Sequence, residues 1–315
     1  NVVLYRLFVA SSKERRWLFG AVVVLVGMFV FSHMTFERIA RGKDGSPEIL
    51  IATVSTYAPA RLHLTREEEQ SRSRHLYSLI GEFSTSTDVV VLPESATFFR
   101  NLPNDASLET LPLVIDSENI VERDGFVRSR AIFRYPVAPL EVSEKQLPLP
   151  LGEYVPYVYR AFLGFASPEF RSQVLSTRAY APGEARLAHA SGAQLAVRFC
   201  NEVMSPYLYA ADVSEGAGVL VNLSSHSWYH GSRLVYRQMQ NIAKVRAVES
   251  GRWYVQSGNM VPAFALDPYG RVVGETEWEN PQVLLLHVPI SEKRTPYNQF
   301  GAWAPLILVI LLLGA

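Results

Sequence analysis

Short apolar runs of strand length alternate with helical segments along most of the chain, and this alternation constrains the fold more than any other feature. The clearest helical segments are Arg66–Ile80 and Ser232–Ser250. Strands interleaved with helices are typical of α/β domains, so we predict one such domain over residues 44–292. The strand-like runs are Ile49–Val54, Asp88–Leu92, Leu113–Ile115, Gly125–Tyr135, Gln194–Phe199, Gly218–Leu223, Trp253–Val255, Ala263–Leu266 and Val283–Val288.

Residues 101–124 form the least regular part of this region, and we expect an insertion or surface loop there. The sequence Asp267-Pro-Tyr-Gly270 is typical of a turn.

A run of twenty residues near the amino terminus, Trp17–Phe36, contains no Asp, Glu, Lys or Arg. A helix of this length rises ~30 Å, about the hydrocarbon thickness of a bilayer. The alternatives are a buried core helix or a cleaved signal peptide, but the apolar part of a signal is shorter, about 7–15 residues. We therefore expect a retained transmembrane helix within residues 1–43.

The other end of the chain is also apolar. Residues 293–315 are expected to contain the start of a second transmembrane helix, truncated, with Trp303 at the membrane interface. Because the chain also begins with Asn1, we expect a piece of a longer membrane protein. Four basic residues precede the first apolar run and three follow it closely, which favours a cytoplasmic amino terminus and a domain on the outer side.

The charge and cysteine content exclude several classes of function. The formal net charge is zero, which argues against nucleic acid as a main partner, because phosphate binding needs a basic surplus. Cys200 is the single cysteine, so a disulfide within the chain is impossible and a cysteine metal cluster is not expected. His226 and His230 have a spacing that suits metal ligands, but no acidic ligand accompanies them, and we expect no metal.

Three polar residues follow or interrupt the apolar pattern in a way that suggests chemistry. Glu94 follows the strand VVVLP, Cys200 follows the strand QLAVRF, and Lys145 lies in the proline-rich segment EKQLPLPLGEYVP. A thiol needs a base and a positive field to become a nucleophile. A carboxylate can take its proton, and a lysine can stabilise the thiolate and later the oxyanion.

A glutamate, a lysine and a cysteine in this order along the chain resemble the catalytic residues of the carbon–nitrogen hydrolase (nitrilase) superfamily, and within it those of the apolipoprotein N-acyltransferases. The segments VVVLPESA, KQLPLPLGEYVP and RFCNE carry the resemblance, which covers roughly residues 46–290. It implies a catalytic triad of Glu94, Lys145 and Cys200. It also implies supporting roles for Glu153 and for the residues that follow the nucleophile, Asn201 and Glu202.

The same resemblance implies a fold and an activity. The fold is a four-layer αββα sandwich with flanking transmembrane helices. The activity is transfer of a fatty acyl group from a phospholipid, through a thioester on the cysteine, to the amine of a lipoprotein. It needs no cofactor and takes place on the periplasmic side of the bacterial inner membrane. Trp228 and Tyr154 are the expected substrate-binding residues.

Several positions depart from the acyltransferase pattern and leave other functions open. Leu92 stands where tryptophan is usual, Asn201 stands where tyrosine is usual, and Ser225-His226 replaces Asn-Asp. The alternatives are an amidase or another hydrolase of the nitrilase type, and a conjugal-transfer membrane protein with a nitrilase-like domain. A lipidic substrate is favoured by the aromatic stretch Tyr154–Phe170, which suits a membrane interface.

Overall fold

The structure is a computed structural model that describes residues 12–40, 47–58, 65–81, 83, 86–102 and 111–301. Internal contacts divide the chain into two compact units, Asn1–Gly45 and Ser46–Ala315. The expected carboxyl-terminal membrane helix falls mostly on residues 302–315, outside the described ranges.

The described part of the first unit is a single helix, α1, Ser12–Ala40. Large apolar side chains along it are exposed, among them Phe19, Phe29 and Phe31. No helix among the described residues combines the length and mean hydropathy of a membrane span, so the transmembrane helix expected within residues 1–43 finds no support there.

The second unit contains twelve strands among the described residues, joined into one hydrogen-bonded sheet in the order β5-β4-β3-β2-β1-β9-β8-β7-β6. In addition β12 pairs with β1, β10 with β9, and β11 with β10. The strands are β1 Glu48–Thr56, β2 Val89–Val91, β3 Leu113–Val121, β4 Val127–Arg134, β5 Glu141–Glu144, β6 Leu187–Ala190, β7 Ala193–Phe199, β8 Val219–Ser225, β9 Trp253–Asn259, β10 Phe264–Leu266, β11 Val272–Glu275 and β12 Gln282–Pro289.

Six helices lie within the described part of this unit. They are α2 Arg66–Gly81, α3 Tyr157–Leu163, α4 Pro168–Thr177, α5 Pro206–Ser214, α6 Arg233–Ser250 and α7 Pro296–Phe300, with 3₁₀ turns at Phe99–Asn101, Cys200–Met204 and Ser227–Tyr229.

The sheet folds over on itself where β1 meets β9, because only two residue pairs join these strands, Ser55 with Gly258 and Thr56 with Asn259. Apolar residues from both halves then share one buried cluster, in which Ile51 of β1 and Val221 of β8 both take part. Two sheets therefore face each other across a common core.

A further apolar cluster lies on the outside of each sheet. Leu76 and Ile80 of α2 pack on the half that contains β1 and β2. Tyr209 of α5, with Tyr236 and Ala243 of α6, packs on the half that contains β7 to β9. Helix, sheet, sheet and helix thus form four layers, which confirms the predicted αββα domain.

The longest helix of the domain shows how local sequence sets these layers. The side chain of Ser232 accepts a hydrogen bond from the Val235 backbone N–H and caps the start of α6. Gly251 ends the helix with a positive φ of 63°, a conformation that glycine adopts at low cost. Buried residues recur every three or four positions between these caps, so one face of α6 packs on the sheet.

The expectation of an irregular stretch over residues 101–124 is partly wrong. Strand β3 runs through Leu113–Val121 and pairs with β4 from Val114 to Val121. Its polar second half, DSENIV, hides the strand pattern. Asp116 and Ser117 of that half are nevertheless buried, because β3 lies between two other strands and under the turn before Phe99.

We predict that Asp116→Asn stabilises the protein at neutral pH. Burial raises the pKa of Asp116 from 3.8 to about 6, although its Oδ2 accepts a hydrogen bond of 2.9 Å from the Phe99 N–H. The folded state therefore binds more protons than the unfolded state between these values, and stability falls as the pH rises through this window. Asparagine keeps the acceptor without the charge, so the free energy of unfolding near pH 7.5 should rise by on the order of 1 kcal/mol.

Urea unfolding near pH 5 and near pH 7.5 checks this prediction. Asp124→Asn, on an exposed turn, is the matched control. If the free energy of unfolding of Asp116→Asn depends on pH as in the parent, the Asp116 carboxyl is not the cause of the predicted loss of stability with rising pH.

Candidate active site

Parallel pairing brings two of the predicted site residues to one edge of the fold. β2 is parallel to β1, and β7, β8 and β9 are parallel to one another and to β1. Glu94 comes three residues after β2, and Cys200 comes directly after β7. Carboxyl ends of parallel strands meet at the same edge, where α/β folds place their sites. Lys145 reaches this edge from the end of the short strand β5.

A buried lysine between two carboxylates forms the centre of the site. The Nζ of Lys145 lies 3.2 Å from Oε1 of Glu94 and 2.7 Å from Oε1 of Glu153. The second oxygen of Glu153 accepts a hydrogen bond of 2.6 Å from the Leu149 N–H, which fixes the carboxylate in place. The lysine side chain is only 3% exposed, so little water screens these interactions.

The cluster changes the protonation of its members. Burial lowers the pKa of Lys145, but the charges of Glu94 and Glu153 outweigh this effect and raise the pKa above its usual value. The ammonium is therefore charged throughout the physiological range. Burial raises the pKa of Glu94, and the Lys145 charge only partly offsets it. A carboxylate with a raised pKa is a stronger base, which suits it to accept a proton.

Cys200 lies on a strained turn beside this cluster. Its φ is +28°, in a region that residues other than glycine rarely adopt. Its sulfur lies 3.7 Å from the Ser225 carbonyl oxygen and 3.7 Å from the Ser224 hydroxyl, at the end of β8. Burial and then the Glu94 charge raise the pKa of the thiol to about 12, while Lys145 lowers it. The resting cysteine is thus a neutral thiol.

Glu202 joins the turn that carries Cys200 to the segment that follows Lys145. Its Oε2 accepts the Phe199 N–H at 2.9 Å, and its Oε1 accepts the Gln146 and Leu147 N–H groups at 2.7 and 2.9 Å. Asn201 adds a hydrogen bond of 2.9 Å from its Nδ2 to the Leu147 carbonyl oxygen. Both side chains are buried and act on the backbone, away from the sulfur.

Sequence reasoning missed several side chains that surround the cluster. Burial and the neighbouring Cys200 raise the pKa of Tyr229, and burial with Glu153 and Glu94 raises that of Tyr180. Both phenols therefore lie close to the charged groups. The signal for Tyr229 was its position just beyond a buried strand; nothing in the sequence around Tyr180 pointed to the site.

The two predicted substrate-binding residues stay outside the hydrogen-bonded cluster of the described residues. Trp228 is exposed and Tyr154 is half-buried. His226 is buried against Tyr229 and Tyr236, and burial lowers its pKa to about 4, so the imidazole is neutral. Across the described residues no group of three or more metal-ligating side chains occurs.

The family model for carbon–nitrogen hydrolases matches residues 60–295, about three quarters of the chain. This chain belongs to the carbon–nitrogen hydrolase family. The segments that suggested the family from sequence all lie within the matched range.

Curated relatives share the matched region. An apolipoprotein N-acyltransferase of Pseudomonas aeruginosa is 30% identical over 256 residues, which cover 76% of this chain and 49% of the relative. The protein of that name from Pseudomonas putida is 33% identical over 172 residues, 54% of this chain and 33% of the relative. The chain spans half or less of the length of these relatives.

Solved structures support the fold. An amidase of the nitrilase superfamily from Nesterenkonia superposes with a TM-score of 0.56 at 16% identity, covering 84% of this chain and 97% of the amidase. A nitrilase-superfamily member from Saccharomyces cerevisiae gives a TM-score of 0.55 at 14% identity, covering 77% and 90%. This carbon–nitrogen hydrolase domain therefore has the nitrilase fold.

We predict that the reactivity of Cys200 rises steadily with pH. Because burial raises the thiol pKa to about 12, the thiolate fraction grows about tenfold per pH unit below that value. The rate of alkylation by iodoacetamide should therefore climb between about pH 7 and 10 without a plateau. Cys200 is the single cysteine, so mass spectrometry of the intact chain reads this site alone. A plateau below pH 8 would contradict the neutral resting thiol.

We also predict that Glu202→Gln destabilises the fold and slows alkylation. The carboxylate accepts three backbone N–H groups, whereas an amide must turn its own donor towards one of them. The free energy of unfolding should fall by on the order of 2 kcal/mol, as for other unsatisfied buried groups. Urea unfolding measures the loss. Glu215→Gln, exposed at the end of α5, should change neither the free energy of unfolding nor the rate of Cys200 alkylation.

Proposed function

We propose that the protein is a membrane N-acyltransferase that moves a fatty acyl group from a phospholipid to the amino-terminal amine of a lipoprotein, through a thioester on Cys200. The observation that carries this proposal is the buried thiol beside a base with a raised pKa, Glu94, and a permanently charged lysine, Lys145. The curated relatives are named apolipoprotein N-acyltransferases, which supports acyl transfer to a nitrogen of a lipoprotein.

In the first half-reaction the Cys200 sulfur attacks the carbonyl carbon of the phospholipid ester. Because the resting thiol is neutral, its proton passes to Glu94 as the carbon–sulfur bond forms. Lys145 and a backbone N–H near Asn201 stabilise the oxyanion of the tetrahedral intermediate. The intermediate collapses by breaking the ester carbon–oxygen bond, and Glu94 returns the proton to the departing lysophospholipid oxygen.

The second half-reaction reverses the proton path. A neutral amine attacks the thioester carbon, and Glu94 takes a proton from the nitrogen as the new carbon–nitrogen bond forms. The carbon–sulfur bond breaks, and the sulfur leaves as the thiol after Glu94 protonates it. Glu153 keeps Lys145 in place throughout, because it holds the ammonium at 2.7 Å and is itself held by the Leu149 N–H.

A membrane location accompanies this proposal: the bacterial inner membrane, with the domain on the periplasmic side. Two exposed apolar surfaces support it. One is the uncharged run of α1, and the other is the aromatic segment, the exposed side chains of Tyr157, Tyr159 and Phe162 on α3 with Phe165 and Phe170. Tyr157 is 89% and Phe165 91% exposed, and aromatic side chains of this kind suit the interface of a bilayer.

The test of the proposed function is intact-protein mass spectrometry after incubation with phospholipid in detergent. A hydroxylamine-labile fatty-acyl adduct on the parent chain, absent from Cys200→Ala, is the expected result. Adding a lipoprotein peptide should then discharge the adduct and yield an N-acylated peptide. Rapid loss of the adduct to water without peptide acylation would instead establish a hydrolase. The absence of any adduct would exclude a phospholipid as the acyl donor.

We predict that the double variant Tyr157→Ser/Phe165→Ser weakens acylation from phospholipid vesicles. Both side chains are almost fully exposed, so their loss should not affect folding. Less apolar surface then reaches the bilayer, and the acylation rate should fall at least about fivefold. Alkylation of Cys200 should stay at the parent rate.

The matched control for this double variant is Val137→Ser, which removes a fully exposed apolar side chain from the loop between β4 and β5. An equal loss of acylation in the control would show that the aromatic segment has no special contact with lipid.

A further inference from the structure

A buried ion pair lies next to the contact between the segment that follows Lys145 and the turn that carries Cys200. Arg198, the penultimate residue of β7, points its guanidinium to the helix side of the sheet. There its Nε and Nη2 bind the two carboxylate oxygens of Asp212 on α5, at 2.8 and 2.5 Å. Both side chains are about 95% buried, so this fork is rigid and anchors β7 to α5.

The third arm of the guanidinium contacts the residue next to the lysine. Nη1 of Arg198 donates a hydrogen bond of 2.6 Å to Oε1 of Gln146. The Gln146 backbone N–H is held at the same time by Glu202. Gln146 is therefore fixed at both its main chain and its side chain, and Lys145 is the preceding residue.

We propose that Arg198, locked by Asp212, is a positioning residue that acts through Gln146 to fix Lys145 relative to Cys200. It does not touch the reacting atoms. The inference rests on Cys200 being the nucleophile of the proposed function, but it does not depend on the identity of the acyl donor or acceptor.

The physical need for this contact follows from the forces on Lys145. Its ammonium is drawn towards Glu94 and Glu153, and both carboxylates lie on loops beyond the strands. β5 has only four residues, and its end is bonded on both sides: the Lys145 N–H donates to the Ser129 carbonyl oxygen at 2.8 Å, and the Lys145 carbonyl oxygen accepts from the Gly183 N–H at 2.9 Å. Neither bond involves β7 or Cys200, so these contacts do not by themselves place the lysine relative to the sulfur. A contact from the buried end of β7, the strand that carries Cys200, ties the cation and the sulfur to one rigid element.

Electrostatics favours the same arrangement. Burial raises the pKa of Glu202, and the Arg198 charge opposes this shift. The guanidinium therefore helps Glu202 to stay ionised while it holds the Gln146 and Leu147 N–H groups. One arginine thus acts on the lysine segment twice, once by a direct hydrogen bond and once through Glu202.

The test compares Gln146→Met with the parent in the alkylation of Cys200 by iodoacetamide over a range of pH. Methionine keeps the length of the side chain and leaves the Arg198–Asp212 pair intact, but it offers no oxygen to Nη1. If Lys145 moves away from the sulfur, less thiolate forms at a given pH, and the rate should fall about tenfold, equal to one unit of pKa. The melting temperature should fall only modestly, because Nη1 loses one hydrogen bond while the pair with Asp212 is kept.

Gln238→Met, exposed on α6, is the matched control and should alkylate at the parent rate. Arg198→Lys is a second variant, which keeps the charge but loses the fork, and it should slow alkylation at least as much. A Gln146→Met chain with the parent rate and pH profile would overturn the proposal, whatever Arg198→Lys does. If Gln146→Met alkylates more slowly but the parent forms no acyl adduct with phospholipid, the positioning role stands and the acyltransferase function is rejected.

Discussion

The ion pair between the buried Lys145 ammonium and two carboxylates is the interaction on which the rest of the site depends. Its distances are 3.2 Å to Glu94 and 2.7 Å to Glu153, and all three side chains are largely shielded from water. Removing charges from water costs several kcal/mol each, so such a cluster is stable only when the geometry is tight and every oxygen has a partner. The backbone N–H that donates to Glu153 is one such partner, and the thiol of Cys200 lies in the field of Glu94 and Lys145.

The fold supplies that geometry by its parallel strands. β2 and β7 lie on the two sides of the fold-over between β1 and β9, and their carboxyl ends bring Glu94 and the Cys200 thiol to one edge of the fold. Lys145 comes from the antiparallel extension of the first half, and it is joined to the second half by Glu202, Asn201 and Arg198. The site is therefore a contact between two half-sheets, and the apolar core between them holds it together.

Part of this arrangement could be predicted from the sequence. Glu94 and Cys200 follow strands of strong apolar pattern, so their meeting at one sheet edge followed from general rules of α/β folds. Lys145 sits in a proline-rich segment without a periodic pattern, and only the resemblance to a family singled it out. The four-residue strands β5, β6 and β11 were missed, because so few residues show no alternation.

Other features depend on long-range contacts that a sequence does not display. Arg198 reads as a solvent-facing charge within a strand, yet it is buried because Asp212 lies fourteen residues further on in α5 and faces it. Asp116 and Ser117, at the start of the polar half of β3, are buried for a similar reason, since β4 pairs beside them and the turn before Phe99 covers the carboxyl of Asp116. Burial of a charge is decided by its partner, and partners are set by the tertiary fold.

The claim that Glu94 is the base for Cys200 is tested most directly by comparing two rates in Glu94→Gln. The Glu94 charge raises the pKa of the thiol, so its removal should speed alkylation by iodoacetamide at a fixed pH. The same change removes the proton acceptor and should slow acylation by phospholipid by about a hundredfold or more. Opposite changes in the two rates are the predicted result; a parallel fall in both, or acylation at the parent rate, would contradict the role of Glu94 as the base.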